Sequence, residues 1–446
     1  MATMPGKMTK LRHVRAATVI KIEREKIMKR YSISVKVLSF ILILFGHTNL
    51  IYAEDSNAIP TMEILWQKEI APESSFNYYL GPIAFNKTTG KLLLSMASFR
   101  PPGDSDGKIW LMEIDPDSGK VTKKTFMRDI NKDKFVDAAT ACLITSMTVS
   151  KNDIILTGKF FNKSVSSIIK IDQQNNTSKY IELNDKKGKN VKINNIFSLD
   201  SENVLFVGRN REGKSLIIKA DSEVDMLWEK NYLIGQGNKE LISDGVAVGN
   251  DGGFAIIGWY MKGKFSDRSI SVVDFISRHN KQGDIIAKDE FKGGATGGLG
   301  SLHEICQESS GNIIAVYEGG IGLPYSDVKI RAYTSDLKFL WEKRVVKSKE
   351  AKPSTFNITA KPRNGFIVAA NVDFGNLRVY EYDKEGNQVA NFSVDEEVRV
   401  GNLGLICMDK KAFVIFPTRT GYIGQTKKSR KINIKIIALE LRKSKK

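Results

Sequence analysis

The feature that most constrains this chain is a short phrase that occurs three times. It reads MLWEKNY at residues 226–232, FLWEKRV at 339–345 and ILWQKEI at 64–70. Recurrence of an aromatic phrase along a chain indicates that the chain is built from repeated structural units. The copy at 64–70 is the unusual one, because it precedes every other repeated segment.

Two other kinds of apolar run recur together with this phrase. Seven runs, from KLLLSMAS at 91 to AFVIFPTR at 412, lie at a mean spacing of about 53 residues. Each is followed by a second run such as IWLMEID or LRVYEYD, and then by a polar turn such as PDSGK or KEGNQ. Gly and Asn in these turns supply the positive φ that a reversing strand requires. With a further run ahead of several segments, such as SLHEICQ, each unit is predicted to contain four strands.

The count of the repeated runs predicts how the chain closes. Six third runs follow a second run, but the seventh second run, INIKIIALEL, is followed only by RKSKK. The missing third run is ILWQKEI at the front. A ring of β-sheets leaves no open edge when an N-terminal strand completes the last sheet. The sequence therefore predicts an all-β fold, a seven-bladed β-propeller of four-stranded blades with residues 64–70 completing blade seven; six or eight blades are the alternatives.

The repeat resembles that of a known class of proteins. The stretches GNDGGFAIIGWY and SVVDFISRHNKQGD look like the repeat of secreted bacterial β-propeller proteins, and MEIDPDSGKV is similar to the turn of quinoprotein-like repeats. The likeness extends to the wider quinoprotein-like or WD-repeat-like superfamily. The Trp is kept in three of seven outer strands, and D-G-G occurs only at Asp251–Gly253. The resemblance implies a propeller fold, which hosts many unrelated activities.

The first 53 residues predict export. From Met28 a basic start precedes an apolar run over 37–46, and Ile51, Tyr52 and Ala53 precede two acids. This is the pattern of a secretory signal with cleavage after Ala53. The apolar run is only about half as long as a membrane-spanning helix, which favours cleavage over the alternative, an uncleaved signal anchor. We expect residues 1–53 to be an extension and signal peptide. Residues 54–446 are then one exported propeller domain, periplasmic or extracellular.

The distribution of charge argues against a nucleic-acid ligand. The formal charge is +18, but residues 1–53 and 427–446 each carry a net +8, which leaves +2 for the 373 residues between them. The body is nearly neutral, so nucleic acid is not an expected partner. The basic C-terminus predicts either weak contact with an anionic envelope surface or a solvated strand end. Three cysteines, Cys142, Cys306 and Cys407, are expected to be separate buried thiols.

Residues with catalytic or metal-binding chemistry are sparse in the exported part. His279 is interpreted as a solvated turn residue, and His303 beside Glu304 stands near the start of an inner strand. No pair of ligands has zinc spacing, and the glycine-rich segment 291–301 lacks the features of a phosphate loop. Trp66, Trp228 and Trp341 are expected to pack between neighbouring sheets. We expect no metal and no cofactor.

Loop lengths predict where a partner would bind. Long connections between second and third strands in blades one, four, five and seven share one face with the blade-to-blade connections. We call this the loop-rich face, and recognition is expected there because variable loops on a rigid scaffold carry it. The candidate binding residues open the inner strands on this face: Tyr78, Thr140, Asn195, Asp244, His303, Glu304, Asn357 and Asn402.

Two classes of function remain open on these grounds. The first is an exported, monomeric, non-enzymatic scaffold that binds a protein or glycan partner at the loop-rich face and central funnel. The second is a propeller enzyme, a quinoprotein-like oxidoreductase or a lyase or hydrolase, that uses Asp244, His303 and Glu304 as acid–base groups.

Overall fold

The structure is a computed structural model of the 446-residue chain. The residues that it describes are 59–71, 77–99, 108–126, 143–151, 153–159, 166–173, 177–210, 212, 214–231, 241–262, 271–292, 303–319, 327–346, 355–372, 376–394, 403–420 and 431–442. Residues 59–446 form one compact unit. In the described part of the chain, no helix is long and apolar enough to cross a membrane.

The described residues form 28 β-strands in seven four-stranded antiparallel sheets, which confirms the predicted fold class. Blade one contains β2 (Asn77–Asn86), β3 (Lys91–Phe99), β4 (Lys108–Ile114) and β5 (Val121–Phe126). Blade two contains β6 (Leu143–Ser150), β7 (Asp153–Lys159), β8 (Ser166–Asp172) and β9 (Thr177–Ile181). Blade three contains β10 (Lys192–Ser198), β11 (Asn203–Arg209), β12 (Ser215–Asp221) and β13 (Met226–Asn231).

The remaining blades repeat the same order. Blade four contains β14 (Leu241–Val248), β15 (Phe254–Lys262), β16 (Ser271–His279) and β17 (Ile285–Lys292). Blade five contains β18 (His303–Gln307), β19 (Ile313–Gly319), β20 (Asp327–Tyr333) and β21 (Phe339–Val346). Blade six contains β22 (Thr355–Ala360), β23 (Phe366–Val372), β24 (Asn376–Tyr382) and β25 (Gln388–Val394). Blade seven contains β26 (Gly404–Met408), β27 (Lys411–Thr420) and β28 (Lys431–Glu440), with β1 (Ile64–Ile70) as its outermost strand.

The first strand of each sheet lies at the centre of the ring. These inner strands, β2, β6, β10, β14, β18, β22 and β26, each contact the next, and β26 contacts β2. Neighbouring inner strands run in the same direction. The Ser146 hydroxyl accepts from the Ile196 backbone N–H at 3.0 Å, and four residues further on Ser150 donates to the Ser201 carbonyl at 3.0 Å. The inner strands therefore all begin on the loop-rich face, and all end on the opposite face, which we call the turn face.

The hydrophobic core lies between neighbouring sheets. Strand β23 is buried at every position. Because side chains alternate across a strand, its residues serve two layers. Ile367 and Ala369 belong to the apolar cluster shared with blade seven, whereas Phe366 and Val368 belong to the one shared with blade five. The two central strands of each sheet therefore read as continuous apolar runs, which is why they could be recognised in the sequence.

The repeated phrase forms a contact between blades. Trp66, Trp228 and Trp341 each lie against a glycine of the turn between the third and fourth strands of the next blade. A Cβ on Gly283 would lie 2.6 Å from the ring of Trp228, and one on Gly119 would lie 2.6 Å from the ring of Trp66. These glycines also have φ values of +80° and +68°, so two independent constraints exclude a side chain there. The prediction that the three tryptophans pack between sheets is confirmed.

Blades four and six, which lack the tryptophan, fill the same space from the other side. In blade four Ala287 occupies the tryptophan position, opposite Arg278 in the register, and the facing turn of blade five carries Leu337 instead of glycine. In blade six Ala390 occupies it, and Met62 fills the space. At these interfaces a tryptophan on the outer strand faces a glycine of the next blade, whereas an alanine at the same position faces a large apolar side chain. This complementarity keeps the interface densely packed.

The segment before β1 joins blades six and seven. The Met62 backbone N–H donates to the Asn391 carbonyl at 2.7 Å, and the Asn391 N–H donates to the Pro60 carbonyl at 3.0 Å. Strand β1 then pairs antiparallel with β28, with Gln67 opposite Ile437. Since blade seven has no turn between β28 and β1, the incoming chain supplies the residue, Met62, that the turn supplies in other blades.

The lysine of the phrase adds a polar contact between blades. In blade three Lys230 forms an ion pair with Asp284, the residue after Gly283. In blade five the Lys343 ammonium donates to the Asn387 amide oxygen at 2.9 Å, the residue after Gly386. Both pairs are at least partly exposed, so each stabilises the interface only weakly. The tryptophan accounts for more of the interface than the lysine does.

The D-G-G segment surrounds a buried arginine. Arg278 is 2% exposed, and its guanidinium donates to both carboxylate oxygens of Asp251 at 2.6 Å. It also donates to the Ser335 carbonyl of blade five at 3.2 Å. A Cβ on Gly253 would lie 2.8 Å from this guanidinium, so the glycine makes room for it. Partial burial opposes ionisation of Asp251, yet the hydrogen bond from Arg278 holds the pKa of that carboxyl below its ordinary value.

Candidate functional site

Backbone bulges distinguish the inner strands of blades one to four. The register with the second strand shifts between Leu80 and Ile83, between Ile144 and Ser146, between Ile193 and Asn195, and between Ser243 and Gly245. The pairing of β18, β22 and β26 shows no such shift within their described residues. A bulge re-aims a side chain and interrupts the ladder, and bulges are common beside binding sites. Four consecutive blades thus carry the same irregularity in the half of the strand nearer the loop-rich face.

The bulged residues are mostly polar. In blades two, three and four they are Thr145, Asn194 and Asp244. Thr145 is exposed although it belongs to an inner strand, and Asn194 is half-buried. Sequence reasoning missed Thr145 and Asn194. A shared signal was present, because in both strands the bulged residue is polar, follows an isoleucine and precedes another polar residue, Ser or Asn.

The structure places six of the eight predicted site residues on inner strands. Asn195, Glu304 and Asn357 lie on β10, β18 and β22 and are half-buried. For Tyr78 on β2, Asp244 on β14 and His303 at the start of β18, the description covers the backbone only. Thr140 and Asn402 lie outside the described residues. The long connections that were predicted to enlarge the loop-rich face also lie almost wholly outside them.

Blades four and five place acidic candidates at the same level along the channel axis. A Cβ on Gly245 would lie 3.1 Å from the Cγ2 atom of Ile305, so the residues that precede them, Asp244 and Glu304, stand side by side on adjacent inner strands. Between blades six and seven the Asn357 amide donates to the Leu403 carbonyl at 3.1 Å. This side chain is therefore held in a fixed orientation by the next blade. The candidates that can be placed lie on the inner strands of blades one, three, four, five and six.

The interpretation of His279 as a solvated turn residue was wrong. His279 ends β16 and has no exposed surface, and its ring stacks on Phe254 with centroids 4.8 Å apart. Its Nδ1 lies 3.2 Å from the Gly283 carbonyl and its Nε2 lies 3.1 Å from the Ser277 hydroxyl. Burial, reinforced by the charge of Arg278, lowers the pKa of His279 to about 4. The imidazole is therefore neutral near pH 7 and has a structural role.

The contact between Ser277 and His279 does not make a hydrolytic site. A serine nucleophile and its histidine base must reach a substrate as well as each other. Both side chains are 0% exposed in the sheet of blade four, so no substrate carbonyl can approach the hydroxyl. The sequence misled on His279 because the following turn is polar, whereas the side chain itself points into the apolar layer next to Phe254.

A second polar cluster lies between blades four and five, away from the channel. Tyr317 donates to Glu342 at 2.6 Å, Tyr333 donates to Asp289 at 2.9 Å, and Arg331 lies 2.9 Å from Glu342. Burial and the adjacent carboxylates raise the pKa of both tyrosines well above the ordinary value. Since a phenol that ionises less readily is a poorer nucleophile, the cluster is best explained as an inter-blade contact.

The thiols behave as predicted where they are described. Cys306 is buried and Cys407 is half-buried, and both are free. Burial raises the pKa of both thiols well above the ordinary value, which suppresses the reactive thiolate. Cys142 lies outside the described residues. Within those residues, no three His, Cys, Asp or Glu side chains are grouped to hold a metal ion.

Comparisons with known proteins agree on the fold. No known protein family and no curated protein matches the sequence. A protein of unknown function from Dyadobacter fermentans is similar in structure, with a TM-score of 0.50 at 10% identity over 86% of this chain and 100% of that one. A prolyl endopeptidase is similar at a TM-score of 0.50 and 11% identity over 80% of this chain, which corresponds to 46% of that one. At these identities the similarity shows a shared fold and nothing about a ligand or a reaction.

Proposed function

We propose that this chain is an exported, non-enzymatic β-propeller that binds a protein or glycan partner through its loop-rich face and the adjoining funnel. The observation that carries this proposal is the set of bulges in four consecutive inner strands. They bring a hydroxyl, an amide and a carboxyl-bearing residue (Thr145, Asn194 and Asp244) to one half of the channel. Hydrogen-bonding groups spread over several blades suit recognition of an extended polar surface.

Two of the three predicted candidates with described side chains, the asparagines, favour binding over catalysis. Asn195 and Asn357 carry neutral amides, which hydrogen-bond in both directions but do not transfer protons at neutral pH. Asn357 is fixed by its bond to the Leu403 carbonyl, so its orientation is settled before a partner arrives. Pre-organised polar groups on a rigid scaffold lower the entropic cost of binding.

Affinity capture from envelope extract, followed by titration of the captured partner or of a glycan array, tests this proposal. Glu304→Gln and Asn194→Ala should weaken binding, because both change polar groups in the inner strands near the loop-rich face. Asn250→Ala is the matched control, since Asn250 is an exposed amide on the turn face. Equal binding by Asn194→Ala, Glu304→Gln and the control would refute the loop-rich face as the site.

A second candidate function is an acid–base enzyme of the quinoprotein-like, lyase or hydrolase kind. The contact between Gly245 and Ile305 favours this second function. Because these two residues are neighbours, the residues before them, Asp244 and Glu304, lie side by side on adjacent strands, with His303 next in sequence to Glu304. Turnover of a substrate that is lost in Asp244→Asn, with binding of that substrate retained, would replace the binding proposal with this one.

Export is also part of the proposal. The basic start at Met28, the apolar run and the small residue Ala53 support passage through the secretory pathway to the periplasm or beyond. Mass determination of the N-terminus of protein from the envelope should find a start at Glu54. Finding an intact N-terminus in the cytoplasm would contradict it. The +8 charge of residues 427–446 supports a weak, salt-sensitive contact with an anionic surface.

A further inference from the structure

The turn face also opens onto a cavity, at the other end of the channel from the proposed partner site. The cavity has a volume of about 840 Å³ and is formed by the ends of the inner strands of blades one, two, three, four and seven. This size falls within the range of small-molecule sites in proteins. Five blades contribute to it, so its shape is fixed by the ring and not by one loop.

The wall of the cavity is part apolar and part polar, and the apolar part comes from five blades. Phe85, Val149, Leu199, Val248 and Ile406 line it, one from each of the five blades. Each of them packs with its inner part against the core between sheets and remains half-buried. Their outer parts converge on the cavity. Covering exposed apolar surface in a concave site with the apolar part of a ligand is energetically favourable.

The rim of the cavity carries three charged side chains, of which two are already engaged. Lys151 forms an ion pair with Glu202 at 3.5 Å. The Asp200 carboxylate accepts from the backbone N–H groups of Glu202 and Asn203 at 2.7 and 2.8 Å, so it caps its own turn. Lys87 is exposed on the rim and has no ion-pair partner among the described residues.

We propose that the turn-face cavity binds a small amphipathic molecule with an apolar body and a single anionic head group, of the chemical class of a medium-chain carboxylate or an aryl sulfonate. The body lies against the apolar wall, and the head group lies beside Lys87 at the rim. Among the described rim residues Lys87 is the cation without an ion-pair partner, and its place beside the apolar part of the wall matches a monoanion, whereas a polyanion would meet Asp200 and Glu202. This site is independent of the partner proposed for the loop-rich face.

Two fluorescent probes that differ in charge test the proposal on the purified chain. 8-Anilinonaphthalene-1-sulfonate is an amphipathic monoanion, and N-phenyl-1-naphthylamine is its uncharged relative. Lys87→Gln should weaken binding of the sulfonate about three- to fivefold, the effect of losing one exposed ion pair. The same change should leave the uncharged probe unaffected. Val149→Trp, which partly fills the cavity by placing an indole ring against the apolar part of its wall, should weaken both probes severalfold.

The controls separate this site from other exposed apolar surface. Leu227 is 53% exposed on the outer strand of blade three, and Leu227→Gln should leave both probes unchanged. Val248→Trp is the second filling variant, to be used if Val149→Trp has a lower urea midpoint than the parent chain. Loss of binding in Leu227→Gln, or unaltered binding in both filling variants, would overturn the cavity assignment. An equal effect of Lys87→Gln on both probes would overturn the role of the anionic head group.

Discussion

The contact between Trp228 and Gly283 makes a quantitative prediction about stability. Replacing Gly283 by Ala introduces a Cβ that would lie 2.6 Å from the Trp228 ring, on a backbone with φ of +80°. The unfavourable φ costs about 1 kcal/mol and overpacking costs a further 1–3 kcal/mol. Gly283→Ala should therefore lower the free energy of unfolding by about 2–4 kcal/mol.

A double-mutant cycle separates these two contributions. Trp228→Ala alone should cost about 2 kcal/mol, below the usual range for a fully buried tryptophan, because this ring is half-buried. In the Trp228→Ala background the new methyl group of Gly283→Ala meets open space, so only the backbone cost of about 1 kcal/mol remains. The coupling free energy is then about 1–3 kcal/mol, which urea unfolding of the four proteins measures.

Gly188→Ala is the matched control for this cycle. Gly188 has a similar φ of +70°, but a Cβ there would meet nothing within 4 Å. This substitution should cost about 1 kcal/mol and should show no coupling to Trp228. If Gly283→Ala and Gly188→Ala cost the same, or if Trp228→Ala fails to relieve Gly283→Ala, the account of the repeated phrase as an inter-blade contact is refuted.

Three further predictions follow from the blade interfaces. Because the pKa of His279 falls from its ordinary value to about 4 on folding, the unfolded chain binds the extra proton, so stability should be full above pH 6.5 and fall by roughly 3 kcal/mol towards pH 4. His279→Phe should remove this slope in urea titrations. Asp251→Asn should cost about 1–2 kcal/mol in the same assay, since the Nη2 atom of the buried Arg278 loses its carboxylate acceptor, and a loss below 0.5 kcal/mol would contradict it. Ala287→Trp should lower the thermal midpoint, because the new ring would clash with Leu337. Adding Leu337→Gly should remove that clash and restore the midpoint at least in part.

The number of blades and strands could be predicted because the repeat is visible in the sequence. Apolar runs such as β23 are buried on both sides and therefore stand out as continuous segments. The replacement of a Trp–Gly contact at one blade interface by an Ala–Leu contact at another could not be predicted in the same way. Such a contact joins residues of different blades that lie about 50 residues apart in the sequence. Only the packing of one sheet on the next brings Ala287 next to Leu337.

The candidate site could be predicted only in part, for two physical reasons. The start of each inner strand could be located, so the positions of Asn195, Glu304 and Asn357 on inner strands were predicted correctly, whereas their role in a site stays a prediction. The bulges could not be located, because a bulge depends on the register between two strands, and Asn194 was missed for that reason. The error on His279 has the same origin, since a residue at a strand end is buried or solvated according to the layer that it faces.

Closure of blade seven by the N-terminal strand β1 can be tested directly with an engineered disulfide between β1 and β28. Glu69 lies opposite Lys435 in the pairing of β1 with β28. Directly opposed side chains on antiparallel strands share one face, with Cβ atoms about 4.5–5.5 Å apart. The double variant Glu69→Cys, Lys435→Cys should therefore form an intramolecular disulfide under mild oxidation, detected by mass spectrometry of the linked peptides. The variant Lys68→Cys, Lys435→Cys should not, because Lys68 faces the other side of the strand. Equal linkage in both variants, or linkage only between molecules, would contradict closure of blade seven by residues 64–70.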